Sequence, residues 1–203
     1  YYRALLRLRH HPGMALAALQ KLLMVSAHPS LIQQTQDDPI DTCPKLRKTL
    51  EILDMIYEKQ EKAIIFAGYL QLQDLLGEII ENRFNLRLPS AINGKASSGV
   101  RLKAIDDFEA TPGFNVLIIS PKAGGVGLNI TAANHVICYT RPWNPAVENQ
   151  AIDRAYRIGQ ERTVTVHYPV ASSMDPEVPS VEDKLDKLLN LKKELLADFI
   201  RPT

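Results

Sequence analysis

Short apolar runs that alternate with helical segments constrain the fold of this chain most strongly. Runs at residues 63–66, 115–120 and 135–139 are rich in apolar side chains and have the length of buried strands. Segments with helical spacing lie between them, at 69–81 and 101–109. Strands that alternate with helices imply right-handed crossovers and a doubly wound parallel sheet. The sequence therefore predicts an α/β fold.

Further segments are predicted to complete or flank this sheet. A strand is predicted around 86–92, and the alternation of residues 163–168 suits an edge strand. Helical spacing predicts additional helices at 1–9, 14–25, 45–59 and 181–200. The apolar positions expected to face inward on these helices are Leu5, Leu8, Leu16, Leu19, Leu22, Leu23, Leu46, Leu50, Leu53, Ile56 or Tyr57, Leu185, Leu188, Leu189, Leu195 and Leu196.

Length and composition fit one globular domain with appendages. The chain has 203 residues, is 45% hydrophobic and carries a formal net charge of +1, so overall charge identifies no partner. We expect a helical N-terminal segment and linker at 1–44, the α/β lobe at 45–170, and a C-terminal loop with a bracing helix at 171–203. Two stretches, 1–36 and 82–105, lack acidic residues but contain Lys and Arg. They suit a polyanion or, equally, a solvated surface.

The two cysteines and the absence of long apolar runs narrow the class of protein. Cys43 and Cys138 have no C-x-x-C companion, so neither a disulfide framework nor a zinc site is predicted. Cys138 lies in an apolar run and is expected in the core. No membrane-length apolar run or signal-peptide pattern occurs. Because the chain begins without Met in helix-like sequence, we expect a fragment of a longer intracellular protein.

Residues 143–160, which read WNPAVENQAIDRAYRIGQ, predict a helix with distinct faces. Asn144 can cap this helix, Pro145 fits its first turn, and Gly159 is placed where it should end. The apolar stripe consists of Val147, Ala151, Ala155 and Ile158.

Gln150, Arg154 and Arg157 follow i, i+4, i+7 and are therefore predicted to share a second face of this helix. Two forked guanidiniums one turn apart can hold an oxyanion or a phosphate group. The alternative is a solvated surface on which Asp153 pairs with Arg157. Spacing alone does not decide between the two.

The string W-N-P followed by Q-A-x-D-R-A-x-R-I-G-Q resembles the last helicase motif of the SWI/SNF family of DNA-dependent ATPases, within helicase superfamily two. The resemblance covers roughly 19–200 and also includes LQKLLMVSAHPSL, KAIIFAGY and ISPKAGGVGLNITAANHVI. It implies a RecA-like C-terminal lobe, the second of two in a motor. It also implies that Arg154 and Arg157, with Gln150, stabilise charge on the ATP γ-phosphate, an effect that can be worth ~10³–10⁵ in rate.

The glycine-rich loop at 121–129 is expected to follow a strand, at the edge where open α/β sheets bind ligands. Its glycines can turn sharply and bring backbone N–H groups to a phosphate. The loop is neither G-x-G-x-x-G nor a Walker loop, so a structural turn is the alternative. The family resemblance implies DNA or coupling roles for Ser120, Lys122, Gly125 and Asn129. It places Gly125, Gly127 and Asp153 near the nucleotide.

Other candidate DNA contacts follow from the same resemblance. The family pattern G-S…R…F is matched near Asn93-Gly94 and implies that Lys95, Ser98 and Arg101 lie beside a phosphate strand. Arg101 could equally pair with Asp106 on a helix surface. Trp143, the only tryptophan, is either a groove contact or a half-buried ring that fixes its loop.

Two departures from the family pattern leave the function open. Ala67-Gly68 replaces the usual Ser-Gln, so the polar contact supplied there is expected to be absent or moved. The segment before W-N-P lacks the usual Asp and contains Arg141, which either adds a phosphate contact or reflects another loop path. These departures permit a degenerate, non-catalytic lobe that serves as a DNA- or protein-binding platform. An RNA-directed lobe of the same superfamily is a further alternative.

The sequence contains no G-x-x-x-x-G-K-[ST] loop and no acidic box. ATP with Mg²⁺ is therefore expected to be bound mainly by an N-terminal lobe, and no metal site is predicted here. The isolated chain is expected to be inactive. Expected partners are the backbone of double-stranded DNA, the N-terminal lobe and other protein subunits, with no membrane. The compact motifs favour a prokaryotic cytoplasm over a nucleus.

Overall fold

The computed structural model describes residues 12–32, 39–123, 130–156, 159–175 and 177–200. The predicted helix at 1–9 and most of the predicted loop at 33–41 lie outside them. Contacts divide the chain into two compact units. One is Lys48–Pro169, and the other comprises the described residues of Tyr1–Arg47 and Val170–Thr203. Each is described by itself.

A four-stranded parallel sheet forms the centre of the Lys48–Pro169 unit. Its order is β2-β1-β3-β4, with β1 at Lys62–Phe66, β2 at Asn115–Ile119, β3 at His135–Ile137 and β4 at Thr165–His167. All residues of β1, β2 and β3 are buried, whereas β4 is partly exposed, as expected for an edge strand. The α/β prediction and the edge position of β4 are confirmed.

Among the described residues, four helices accompany the sheet. They are α2 at Pro44–Glu58, α3 at Leu70–Phe84, α4 at Ser98–Ala110 and α5 at Pro145–Ile152. Leu46, Leu50, Leu53 and Ile56 of α2 are buried as predicted, while Tyr57 is 43% exposed. One core cluster joins strand and helix residues, among them Ile64, Phe66, Phe108, Leu117 and Val136. Cys138 is buried in this cluster, as predicted.

The other unit contains α1 at Pro12–Ala27, a short 3₁₀ helix at Pro29–Leu31 and α6 at Val181–Ile200. His28 Nε2 lies 3.0 Å from the Pro39 carbonyl oxygen and fixes the turn after α1. Lys45 donates to Glu182 over 2.5 Å, and both side chains are largely buried. No helix in the described part of the chain has both the length and the apolarity needed to span a membrane.

Three predicted features were wrong in detail. The strand around 86–92 is reduced to a single bridge between Ile92 and Ile119, because Pro89 has no N–H to donate to a ladder. Leu16 of α1 is 67% exposed, since this helix has apolar residues on all sides and its spacing does not select one face. On α6, Leu185 and Leu189 are buried, but Leu188 and Leu195 lie on the exposed side.

Candidate functional site at the carboxyl edge of the sheet

The loops that follow β1, β2 and β3 meet at one edge of the sheet, because the carboxyl ends of parallel strands share an edge. Backbone hydrogen bonds join these loops directly. Ala67 N donates to Ile119 O over 3.0 Å, and Thr140 N donates to Phe66 O over 3.1 Å. Ser120 N donates to Ile92 O over 2.8 Å. Sequence motifs that are far apart in the chain are thereby brought together.

The helix that carries the arginine motif begins as predicted but ends early. Asn144 caps it, with the Ala146 N–H donating to Asn144 Oδ1 over 3.0 Å. Its last residue is Ile152, so the prediction that it extends to Gly159 was wrong. The Arg154 carbonyl accepts from Ile130 N over 3.1 Å. This bond ties the turn after α5 to the segment that precedes β3.

The early end of α5 separates the residues that were predicted to share a face. Gln150 and Asp153 are exposed, whereas Arg154 is buried in the turn after the helix, with 3% of its surface exposed. The prediction of one common helical face for Gln150 and Arg154 was therefore wrong. Arg157 lies outside the described residues. The chemical roles of these residues remain a prediction.

Gln160 fixes the turn that contains Arg154. Its amide Nε2 donates to Thr131 O over 2.9 Å and to Ala133 O over 2.7 Å, and it reaches Ala155 O at 3.4 Å. One side chain thus ties the turn after α5 to the segment that precedes β3. This positioning role was not predicted, although Gln160 belongs to the motif from which the arginines were selected.

The glycine-rich loop is described only at its start. Ser120 is partly exposed, Lys122 is exposed, and Ala123 is buried. Gly125, Gly127 and Asn129 lie outside the described residues. Among the described candidates of this loop, Lys122 is therefore the exposed one.

The turn before α4 exposes two further candidates. Lys95 and Ser98 are both exposed. Lys95 N donates to Asn93 Oδ1 over 3.0 Å, which closes the turn. The cap of α4 is Ser97, whose hydroxyl accepts from Val100 N. Ser98 is the first residue of the helix, and its hydroxyl is accordingly not used as the cap.

No ion pair between Arg101 and Asp106 is seen among the described residues, and contact of Arg101 with DNA stays a prediction. Its guanidinium donates to three backbone carbonyl oxygens, those of Ala96 at 2.9 Å, Asn93 at 3.2 Å and Ala123 at 3.2 Å. The first two belong to the turn before α4, and the third belongs to the loop that carries Lys122. Arg101 therefore joins two segments that contain candidate DNA contacts.

The two departures from the family pattern lie side by side. Gly68 N donates to Thr140 Oγ1 over 2.7 Å, and a Cβ at position 68 would lie 3.1 Å from that oxygen. Below them, the buried amide of Gln73 donates to Ala67 O over 2.7 Å. A polar contact at this loop is thus present but comes from Gln73. No sequence signal identified this contact, since a glutamine beside the apolar positions Leu72 and Leu76 of α3 can equally lie on the surface.

Arg141 contacts Glu148 and Tyr168 within the Lys48–Pro169 unit. Its guanidinium donates to both carboxylate oxygens of Glu148, at 2.6 and 2.9 Å, and lies 4.4 Å from the centre of the Tyr168 ring. The side chains of Arg141 and Glu148 are 6% and 1% exposed. This buried pair argues against a phosphate contact for Arg141, and the alternative of another loop path stays a prediction. Trp143, two residues on, is 43% exposed.

Three groups with a shifted pKa, Glu61, Lys62 and His167, lie at the start of β1 or beside His135. His135 Nε2 lies 2.6 Å from Glu61 Oε2, and its Nδ1 lies 3.1 Å from His167 Nε2. The hydrogen bond with His135 lowers the pKa of Glu61, and burial lowers the pKa of His167. Burial also lowers the pKa of Lys62, which donates to Phe108 O and Glu109 O at the end of α4. These contacts join the segment before β1 to β3, β3 to β4, and β1 to α4.

Comparison with known proteins identifies the family. Residues 44–159 match the family described as the helicase conserved C-terminal domain. Zorya protein ZorD of Escherichia coli is 41% identical over 93% of this chain, and the putative ATP-dependent helicase/translocase YwqA of Bacillus subtilis is 39% identical over 93%. The chain spans 18% and 20% of the length of these two relatives.

Solved structures agree with the sequence comparisons. The SWI2/SNF2 ATPase core of Sulfolobus solfataricus, solved in complex with double-stranded DNA, matches with a TM-score of 0.74 and 34% identity, over 93% of this chain and 38% of that one. The C-terminal domain of the Sulfolobus solfataricus ATPase matches with a TM-score of 0.71 and 31% identity, over 96% of this chain and 76% of that one. The fold is a RecA-like lobe, and the chain belongs to the helicase C-terminal domains of the SWI2/SNF2 ATPase family.

Proposed function

We propose that this chain is the second motor lobe of an ATP-dependent translocase or remodeller that acts on double-stranded DNA. The observation that carries the proposal is the convergence of three motif loops at one edge of the sheet, where Lys95, Ser98, Lys122 and Trp143 are exposed. Translocation requires contacts that do not depend on base sequence, and exposed lysines provide them through phosphate groups. The Sulfolobus relative was solved with double-stranded DNA, which supports this choice of partner.

The arginine segment is proposed to complete the nucleotide site. When bound, ATP with Mg²⁺ supplies the phosphoryl group whose hydrolysis drives the motor. Arg154 and Arg157 would donate to oxygens of the γ-phosphate, with Gln150 orienting the site. Asp153, Gly125 and Gly127 would face the nucleotide. Arg154 is 3% exposed in this chain, so the role requires its guanidinium to become accessible when the nucleotide binds.

The remainder of the nucleotide site is proposed to lie on a first lobe outside this chain. The donor groups of the arginine segment fit an anion, but the described residues contain no group of three His, Cys, Asp or Glu side chains that could hold a metal ion. We therefore assign Mg²⁺ and most phosphate contacts to the N-terminal lobe of the whole protein. Other subunits are possible partners of that protein. Relatives from Escherichia coli and Bacillus subtilis support a location inside a prokaryotic cell.

The non-catalytic platform is less well supported. That alternative was permitted by the departures at positions 67–68 and 139–141. At both places the substituted residues make defined contacts: Gly68 with Thr140, and Arg141 with Glu148. Retention of Gln150, Arg154 and Arg157, which are assigned to the nucleotide site, argues against a lobe without a catalytic role.

Binding of duplex DNA by the chain tests the proposal. We expect affinity for a short duplex that is insensitive to base sequence and falls steeply between about 50 and 200 mM salt. Lys122→Ala should weaken binding and reduce the slope of log affinity against log salt by about one, because one phosphate contact is lost. Lys59→Ala is the matched control, since Lys59 is also exposed but precedes β1, at the opposite edge of the sheet.

Equal effects of Lys122→Ala and Lys59→Ala would contradict a DNA surface at the carboxyl edge. A duplex of RNA should bind less well than DNA in the same assay. Stronger binding of RNA would favour the RNA-directed alternative and overturn the choice of partner.

A further inference from the structure

Gln73, Asn93 and Arg101 form a continuous hydrogen-bonded network at the carboxyl edge, through side chains and the Asn93 carbonyl. Asn93 Nδ2 donates to Gln73 Oε1 over 3.1 Å, and Gln73 Nε2 donates to Ala67 O over 2.7 Å. Arg101 Nη2 donates to the Asn93 carbonyl oxygen over 3.2 Å. The network therefore links the loop after β1 to the turn before α4.

The network also reaches the loop after β2. Arg101 Nη1 donates to Ala123 O over 3.2 Å, one residue beyond Lys122. Arg101 Nε donates to Ala96 O over 2.9 Å, one residue beyond Lys95. Both exposed lysines that are candidate DNA contacts are therefore adjacent to a carbonyl held by the same guanidinium.

Geometry distinguishes this arrangement from a direct contact with phosphate. Three of the five N–H donors of a guanidinium are already engaged, and they point at backbone oxygens on two different segments. Gln73 is 2% exposed and cannot touch a ligand. Its two hydrogen bonds nevertheless fix the position of Asn93, whose carbonyl Arg101 holds.

We propose that Gln73, Asn93 and Arg101 are positioning residues that hold Lys95 and Lys122 at a fixed separation, and that Arg101 acts on DNA only through them. This inference rests on the proposed function. Preorganised loops lose less conformational freedom on binding, so the network raises affinity without adding a phosphate contact.

The test measures binding of a short DNA duplex to the chain across a salt series. Arg101→Met should weaken binding about tenfold while leaving the salt slope unchanged, because the number of neutralised phosphates stays the same. Arg101→Lys retains the charge but can reach only one of the three carbonyls, so it should remain about fivefold weaker than the unmodified chain. Gln73→Leu should weaken binding about threefold, although its side chain cannot reach DNA.

Combining Gln73→Leu with Arg101→Met should add little to the effect of Arg101→Met alone, since residues of one network are not additive. Lys103→Met is the matched control: Lys103 is an exposed cation on the same helix, paired with Asp107, and its loss should change affinity less than about twofold. All variants are compared well below their melting temperatures. If Arg101→Met does not fold, Arg101→Lys and Gln73→Leu decide the outcome.

A slope that falls by about one in Arg101→Met, with full binding in Arg101→Lys, would show a direct phosphate contact and overturn the positioning role. Normal binding by Gln73→Leu and Arg101→Met would overturn it as well, while leaving the proposed function intact. No binding by the unmodified chain would overturn the proposed function itself.

Discussion

At residue 68 the main-chain N–H donates to the Thr140 hydroxyl, and a side chain at that position would crowd the same oxygen at 3.1 Å. Gly68 and Thr140 are 72 residues apart in the sequence and each departs from the family pattern. Their contact joins the loop after β1 to the loop after β3.

The contacts of His135 predict a pH dependence of stability. His135 Nδ1 lies 3.1 Å from His167 Nε2, and His135 Nε2 lies 2.6 Å from Glu61 Oε2. Burial, followed by the neighbouring His135, lowers the pKa of His167 below its ordinary value of 6.5. The unfolded chain therefore takes up a proton at His167 before the folded chain does, and folding loses stability as the pH falls below about 6.5.

Glu61 extends this loss to lower pH, because the hydrogen bond with His135 lowers its pKa below the ordinary value of 4.5. Its contribution is complete above that value and disappears as the pH falls through the lower, folded pKa. Thermal melting of the chain between about pH 8 and pH 4 measures both effects. One titrating group contributes at most about 1.4 kcal/mol per pH unit, and His167 less because it is only partly buried. His167→Gln should flatten the profile below about pH 6.5, and an unchanged profile would contradict this assignment.

At the scale of elements, the Arg141–Glu148 pair joins the loop after β3 to α5. Both side chains are nearly inaccessible to solvent, at 6% and 1%. Glu148→Gln keeps the shape of the side chain but removes the counter-charge of a buried guanidinium. We expect a loss of about 3–5 kcal/mol in the free energy of unfolding, measured by chemical denaturation.

Asp54→Asn provides the comparison for that prediction. It breaks the Arg83–Asp54 pair, whose side chains are 42% and 38% exposed, and should cost less than about 1 kcal/mol. Equal losses of unfolding free energy in the two variants would mean that burial does not determine how much the Arg141–Glu148 pair contributes to stability.

Elements that are specified by a continuous apolar run or by one clear apolar stripe could be predicted from the sequence. The strands β1, β2 and β3 and the helices α2 and α6 were found close to their observed bounds, because burial on both faces or one clear stripe identifies them. The end of α5 at Ile152 was not predicted, because the helical spacing of apolar residues continues beyond it in the sequence. After that end the Arg154 carbonyl accepts from Ile130 N, and sequence spacing carries no information on a partner 24 residues away.

The candidate site was predicted in part. Exposure of Lys95, Ser98, Lys122 and Trp143 is compatible with the roles assigned from the family resemblance, which remain predictions. The positioning contacts of Gln73 and Gln160 were not found. A glutamine in a helix or loop has no sequence pattern that distinguishes a buried clamp from a surface amide.

At the scale of the whole molecule, the chain supplies one side of a proposed two-lobed motor. The chain spans 18% and 20% of the length of two relatives, so ATP hydrolysis is proposed for the whole protein and not for this lobe alone. The central claim is that Arg154 and Arg157 complete a nucleotide site whose other side lies on the first lobe. Burial of Arg154 makes its removal a risk to folding, so Arg154→Lys is the milder variant to compare.

That claim is tested most directly by measuring ATP hydrolysis, with and without duplex DNA, in a protein that joins this chain to its first lobe. Arg154→Lys, Arg154→Ala and Arg157→Ala should each lower the DNA-stimulated rate by about 10³-fold or more, while DNA affinity stays within about twofold. Melting curves confirm that each variant is folded. Hydrolysis that persists near the unmodified rate in folded Arg154 and Arg157 variants would contradict the assignment of both residues to the nucleotide site.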